Sequence, residues 1–109
     1  MQPEVRVWHR ALDEGSRSRV DFYIELLRHE GPMLGEPYTR QLDGKLRELR
    51  FRLHGHATRL TYWIAPERRI VLLTVFTKTQ QRERKQIERA RRAMQQSMRE
   101  QQEREVRDE

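Results

Sequence analysis

Between residues 46 and 53 the sequence LRELRFRL alternates, with Leu49, Phe51 and Leu53 falling between Glu48, Arg50 and Arg52. A period of two marks a strand, so the three charged side chains share one face. Arg59 lies on a second alternating run and would add a guanidinium beside them if the two runs pair. Lys78 stands just past the end of a third, apolar run. A carboxylate among cations suits proton transfer beside a phosphate, which arginines hold in bidentate fashion. The same residues also make an ordinary solvated strand face, in which Glu48 is an ion-pair partner that organises the arginines. A carboxylate between guanidiniums is expected to have a lowered pKa, which keeps it ionised and makes it a weak base.

Other residues have two readings each. Lys45 follows Gly44 and either touches a phosphate or is a turn residue. Trp63, in phase with Arg59 and Thr61, either stacks a base or packs within the sheet. Arg82, Arg84, Lys85, Arg89, Arg91 and Arg92 stand against only Glu83 and Glu88. This dense basic stretch either grips a partner or is a solvated helix face. Histidine is the natural acid–base residue near neutral pH. Yet His54 and His56 flank Gly55 in a turn, where polar residues are expected anyway, and His9 and His29 sit on N-terminal helices.

The elements that must position these residues follow from the pattern of the chain. Pro3 suits a first helical turn, and Val5, Trp8 and Leu12 follow at helical spacing. The run Asp13-Glu14-Gly15 breaks that helix, and Ser16 is the expected N-cap of a second. There Val20, Ile24 and Leu27 form an apolar face that Tyr23 and Leu26 widen. Gly31-Pro32 ends it, and a loop is expected up to about Gly44. Three strands are predicted over residues 46–53, 58–64 and 70–76, the last almost wholly apolar and so buried on both faces. His54-Gly55-His56 and residues 65–68 are the turns. The sequence thus predicts an α+β fold, a small antiparallel sheet packed by two N-terminal helices. A basic C-terminal helix from about Glu83 carries the apolar stripe Ile87, Ala90, Met94 and Met98. The residues from about 99 to 109 are expected to fray.

Composition bounds the function. The 109 residues support one domain, and 37% are charged. There are no cysteines, so no disulfide framework or thiolate metal site, and the four histidines lack ligand spacing. No stretch is apolar over the ~18 residues of a membrane span, and none resembles a signal peptide, which points to a cytoplasmic protein. Charge is unevenly placed. Residues 1–39 carry five basic and seven acidic side chains, a net of −2. Residues 40–78 carry nine and three, a net of +6, and residues 79–109 nine and seven, a net of +2. The excess lies on the expected sheet, a landing place for a polyanion or simply a soluble surface.

Residues 38–94 resemble the RelE/ParE superfamily of toxins, in its HigB-like, phage-derived branch. The resemblance rests on Asp43-Gly44-Lys45 with Glu48-Leu49-Arg50, then Arg59-Leu60-Thr61-Tyr62, then the apolar run to Phe76, then Lys78 and a basic helix. Two features depart from the branch pattern. Thr77 stands where a basic residue often follows the Phe, and many relatives carry a further strand ahead of the first helix. Lacking it, a neighbouring strand would present open backbone groups. The resemblance implies a RelE-like fold and cleavage of messenger RNA in the ribosomal A site without a cofactor. It also implies a cognate HigA-like helix-turn-helix antitoxin, with operator DNA bound only through the antitoxin complex. Cleavage by attack of a 2′-hydroxyl needs a base, cations on the phosphorane and an acid for the leaving 5′-oxygen. On this resemblance Glu48, Arg50, Arg59 and Lys78 are the catalytic candidates. Lys45, Arg52, Trp63, Arg82, Arg84 and Lys85 are the RNA-binding ones, with the basic helix facing ribosome or antitoxin.

Two other functions fit the same chain. A ParE-like relative inhibits a topoisomerase by binding, without catalysis, and one fold serves both activities. A degenerate toxin would persist as an antitoxin-binding or autoregulatory partner. The charged strand face with Glu48 and Lys78 favours the ribonuclease.

Overall fold

The computed structural model describes residues 1–79 and 83–107. Over these described residues it is α+β, with three α-helices and one antiparallel sheet. Helix α1 spans Pro3–Ala11 and α2 spans Glu14–Glu30. Asp13, rather than Ser16, caps α2: its carboxylate accepts from the Ser16 backbone N–H at 2.8 Å and from the Ser16 hydroxyl at 3.0 Å. A carboxylate is a strong cap and also complements the helix dipole, so the helix starts before Ser16 rather than at it. Gly31 ends α2 with φ +56°, and a Cβ there would lie 2.5 Å from the Arg68 guanidinium. The positive φ favours glycine, while the Arg68 head, at the end of an exposed flexible side chain, could swing aside.

The sheet has four strands, not three. β1 (Thr39–Asp43), β2 (Leu46–Leu53), β3 (His56–Ala65) and β4 (Arg69–Thr77) pair in chain order. β1 lies inside the stretch expected to be loop. It has five residues, only Thr39 of them buried, so it shows little apolar alternation. Its place is fixed by pairing with β2 and by Thr39, whose hydroxyl donates to Leu34 O at 2.5 Å. The β2–β3 hairpin turns at His54 and Gly55, with φ of +51° and +77°. Two successive positive φ values suit the right-handed twist of the flanking strands.

Each sheet face carries its own core. Val5, Val20, Ile24 and Leu27 of α1 and α2 pack on Leu49, Phe51, Leu60, Tyr62 and Leu72. The other face is covered by α3 (Glu83–Arg107). There Ala90 and Met94, flanked by Ile87 and Met98, pack on Leu46, Trp63, Ala65, Val71 and Leu73. The apolar run of β4 is thus buried from both sides, as its composition implied. The face of β2 that alternation reads as charged and solvated is partly roofed by this helix. Beyond Met98 α3 does not fray. It stays helical through Arg107, although its side chains there are mostly exposed, and Arg69 reaches it through Gln101.

The outer edge of β4 is plugged rather than open. Leu72 O accepts from Gln2 N at 2.9 Å, and Val75 N–H donates to the Glu4 carboxylate at 3.0 Å. Val75 O accepts from Arg89 at 3.1 Å, and Arg89 in turn pairs with Glu4. Among the described residues no helix is long and apolar enough to cross a membrane.

Candidate functional site

Strand register assembles the charged cluster. Arg50 stands opposite Arg59, and Glu48 opposite Thr61 on one side and Arg40 of β1 on the other. Across β3, Phe76 faces Arg59 and Thr74 faces Thr61. Cross-strand partners project to the same side, so Arg40, Glu48, Arg50, Arg59 and Phe76 share the face that α3 partly covers. Arg50, Arg59 and Arg52 line a shallow groove with Pro37 and Ala57.

Glu48 forms the floor of the cluster at 1% exposure, and Arg59 is 6% exposed. Their closest approach, Arg59 Nε to Glu48 Oε1, is 3.4 Å. Among the described residues neither carboxylate oxygen nor Arg59 Nε has a hydrogen-bond partner. A buried pair that loses its hydration without gaining hydrogen bonds is costly. Burial therefore pushes the Glu48 pKa up, against the pull of Arg59 and Arg50, and Glu83 adds to the rise. Burial likewise pulls Arg59 down from its ordinary value, against the support of Glu48. This reverses the sequence expectation of a lowered Glu48 pKa, because desolvation outweighs the flanking guanidiniums. A carboxyl raised in this way is a better proton acceptor than an exposed one.

The remaining candidates divide by position. Arg52 is exposed beside the groove and donates to Gly55 O at 3.0 Å. Lys78 is exposed just past β4, and its backbone N–H donates to Ala57 O at 2.8 Å, which holds it at the Arg52 end of the sheet. Lys45 sits in the β1–β2 turn at the opposite end, five residues from Arg50 or about 16 Å along the strand, and does not join the cluster. Trp63 is a correction: at 4% exposure it lies under α3, and its indole N–H donates to Ser97 Oγ at 2.9 Å. It is part of the second core and is closed to a base. Arg84 and Lys85 are exposed on the first turn of α3, and Arg84 borders a second groove with Arg40, Glu83 and Arg91. Arg82 lies outside the described residues.

Sequence reasoning missed Arg40 and Glu83. Arg40 faces Glu48 only once β1 is recognised as a strand, and Glu83 approaches only once α3 is laid across the sheet. The histidines have structural work. His54 Nε2 lies 2.8 Å from Ser16 Oγ and 3.0 Å from the Asp13 carboxylate, tying the hairpin to the α2 cap. One nitrogen faces both partners, unlike an activated serine triad, where the two ring nitrogens serve different groups. Among the described residues no three His, Asp or Glu side chains are grouped to hold a metal ion.

No curated protein matches the chain, and no solved structure matches it either. The family described as Phage derived protein Gp49-like (DUF891) matches residues 7–95, a span that takes in the second half of α1, all of α2, all four strands and about half of α3. On that match, the chain belongs to the phage-derived Gp49-like family.

Proposed function

We propose that this protein is the toxin of a type II toxin–antitoxin pair, a HigB-like member of the RelE/ParE superfamily that cleaves messenger RNA on the ribosome. The Gp49-like family is associated with toxins of toxin–antitoxin pairs, which supports the coarser part of this reading. The observation that carries the catalytic reading is Glu48, a buried carboxyl without a hydrogen-bond partner among the described residues, set against Arg59 beneath a groove of guanidiniums. A merely solvated strand face has no reason to bury an unsatisfied ion pair, whereas active sites commonly hold perturbed groups of this kind.

In this reading Arg50 and Arg59 grip the scissile phosphate and stabilise the phosphorane, with Lys78 adding charge at the open end. Arg59 moving onto the phosphate uncovers Glu48, which takes the proton of the attacking 2′-hydroxyl. The P–O5′ bond breaks, the 5′-oxygen takes a proton from solvent, and a 2′,3′-cyclic phosphate remains. No cofactor enters. Arg84, Lys85 and Arg92 on the outer face of α3 contact ribosomal RNA or an acidic segment of a HigA-like helix-turn-helix antitoxin, and operator DNA is reached only through that antitoxin.

The test is induced expression of the wild type beside Arg50→Ala and Lys78→Ala, with primer extension on a reporter messenger RNA. Growth arrest with new 5′ ends in the reading frame, lost in both variants, is the expected result. Arrest without cuts would replace this reading with topoisomerase binding. Soluble wild-type protein without arrest would replace it with a degenerate toxin.

A further inference from the structure

We infer that the recess between the start of α2 and the β2–β3 turn is a second phosphate subsite, which holds the RNA phosphate next to the one gripped by Arg50 and Arg59. The inference rests on the ribonuclease reading and names how its substrate runs across the surface. The recess has a volume of about 460 Å³, and its lining includes Arg19 of α2, Arg52 of β2, His54 of the turn and Asp13. Both guanidiniums are held by main-chain carbonyls. Arg19 Nε donates to Arg52 O at 2.8 Å, and Arg52 Nη1 donates to Gly55 O at 3.0 Å. Among the described residues neither has a carboxylate partner, whereas Arg28, Arg59, Arg89 and Arg91 each do. Two cations set in place by neutral carbonyls keep their charge uncompensated, and most of their planar fork of donors stays available to phosphate oxygens. Asp13 opposes them, but its carboxylate is taken up by the Ser16 N–H, the Ser16 hydroxyl and His54.

The recess is continuous with the guanidinium groove, because Arg52 lines both. Strand pairing accounts for the connection. β1 reaches β2 only as far as Leu49, opposite Thr39, and Tyr38 O takes the Arg50 N–H at 2.8 Å. Among the described residues no strand lies beyond Arg50 on that side, and α2 comes up to the bare edge instead, through the Arg19 bond to Arg52 O. Arg50 and Arg52 stand two residues apart on one strand face, about 6.6 Å. That step is comparable to the one between successive phosphates of an extended single strand. Arg50 with Arg59, then Arg52, then Arg19 thus form a row of guanidiniums that leads from the face under α3 round the sheet edge to α2. A phosphodiester chain along that row sets one phosphate over Arg50 and Arg59 and the next between Arg52 and Arg19.

The experiment compares non-cleavable 2′-O-methyl RNAs on the full chain by fluorescence anisotropy. One is short enough to fill only the groove and Lys78, and two copies are extended by two residues at the 5′ or the 3′ end. One extended RNA should bind about tenfold tighter than the short one, the low end of what a hydrogen bond to a charged group contributes. Arg19→Ala should abolish that gain and leave the short RNA unchanged, which also shows that the variant is folded. An uncharged methylphosphonate at one of the two added linkages should abolish the gain in the wild type and make Arg19→Ala silent. No gain on extension, or a gain that survives Arg19→Ala or methylphosphonates at both added linkages, overturns the subsite while leaving the groove in place. An equal loss on the short RNA overturns it too, since Arg19 would then act on the groove through Arg52. Short-RNA binding that Arg50→Ala leaves untouched, or no binding of any RNA, overturns the ribonuclease reading and the subsite with it.

Discussion

Glu48 and Arg59 are buried together, yet they are not equivalent. The carboxylate sits on a short stem at the floor of the cluster, whereas the guanidinium lines the groove and can extend its head outward. Because burial raises the Glu48 pKa, the fold prefers that group protonated. The associated stability is fully present below the unfolded value near 4.5 and is lost as pH rises through the folded value. Glu48→Gln keeps the shape without the charge. It is therefore expected to match or exceed wild-type thermal stability at pH 7, with the difference closing as pH falls toward 4.5. On the ribonuclease reading its cleavage rate should drop about 10²- to 10⁴-fold, the usual worth of a general base. Thermal melts at several pH values and single-turnover cleavage on ribosomes check both halves. Arg59→Met should do the reverse to stability, costing about 3–5 kcal/mol at pH 7 in chemical denaturation because it strands the carboxylate. Alternation within residues 46–53 was enough to read that Glu48, Arg50 and Arg52 share a face. The direction of the Glu48 shift was not legible, since it depends on a helix some 35 residues further along the chain folding over that face.

Elements show the same division between local and distant causes. β2, β3 and β4 announce themselves through period two or unbroken apolarity, because their faces meet packed cores. β1 does not, because an edge strand of five residues with one buried side chain needs no apolar pattern to be held. Helix α3 was visible by its stripe, but where that stripe would dock was not, and so Trp63 was read as facing a ligand when it faces Met94 and Ser97. Clamping of α3 should rest mainly on that stripe, with the Arg89 and Ser97 contacts beside it and little from the last turns. Met94→Ala is expected to cost about 2–5 kcal/mol, since it opens a cavity against β3 and β4. Deleting the residues from 99 onward should change stability by no more than about 0.5 kcal/mol, because the side chains removed are mostly exposed. Urea denaturation of both variants checks the contrast. A large loss on truncation would mean that the last turns hold the helix down.

At the scale of the whole molecule, the net charge of +6 draws RNA toward the protein at long range, whereas the proposed mechanism uses Arg50, Arg59 and Lys78 as its direct phosphate contacts. Salt separates these two effects. Each neutralised phosphate on a single strand contributes about −0.7 to the slope of log K against log salt, so three contacts give a slope near −2. Removing one contact with Arg50→Ala should bring the slope of a short non-cleavable RNA to about −1.4. The outer ridge of α3, with Lys85, Arg92 and Arg99 seven residues apart on one exposed side, lies across the helix from the Ala90 and Met94 stripe. Reversing Lys85 and Arg92 to Glu should leave the short-RNA slope near −2, because the ridge faces away from the sheet, while weakening association with whole ribosomes. Fluorescence anisotropy over a salt series, beside ribosome co-sedimentation, measures the two terms. If ridge reversal instead flattened the short-RNA slope, phosphate would be bound on α3. The cluster around Glu48 would then have to be explained as a buried ion pair without a substrate.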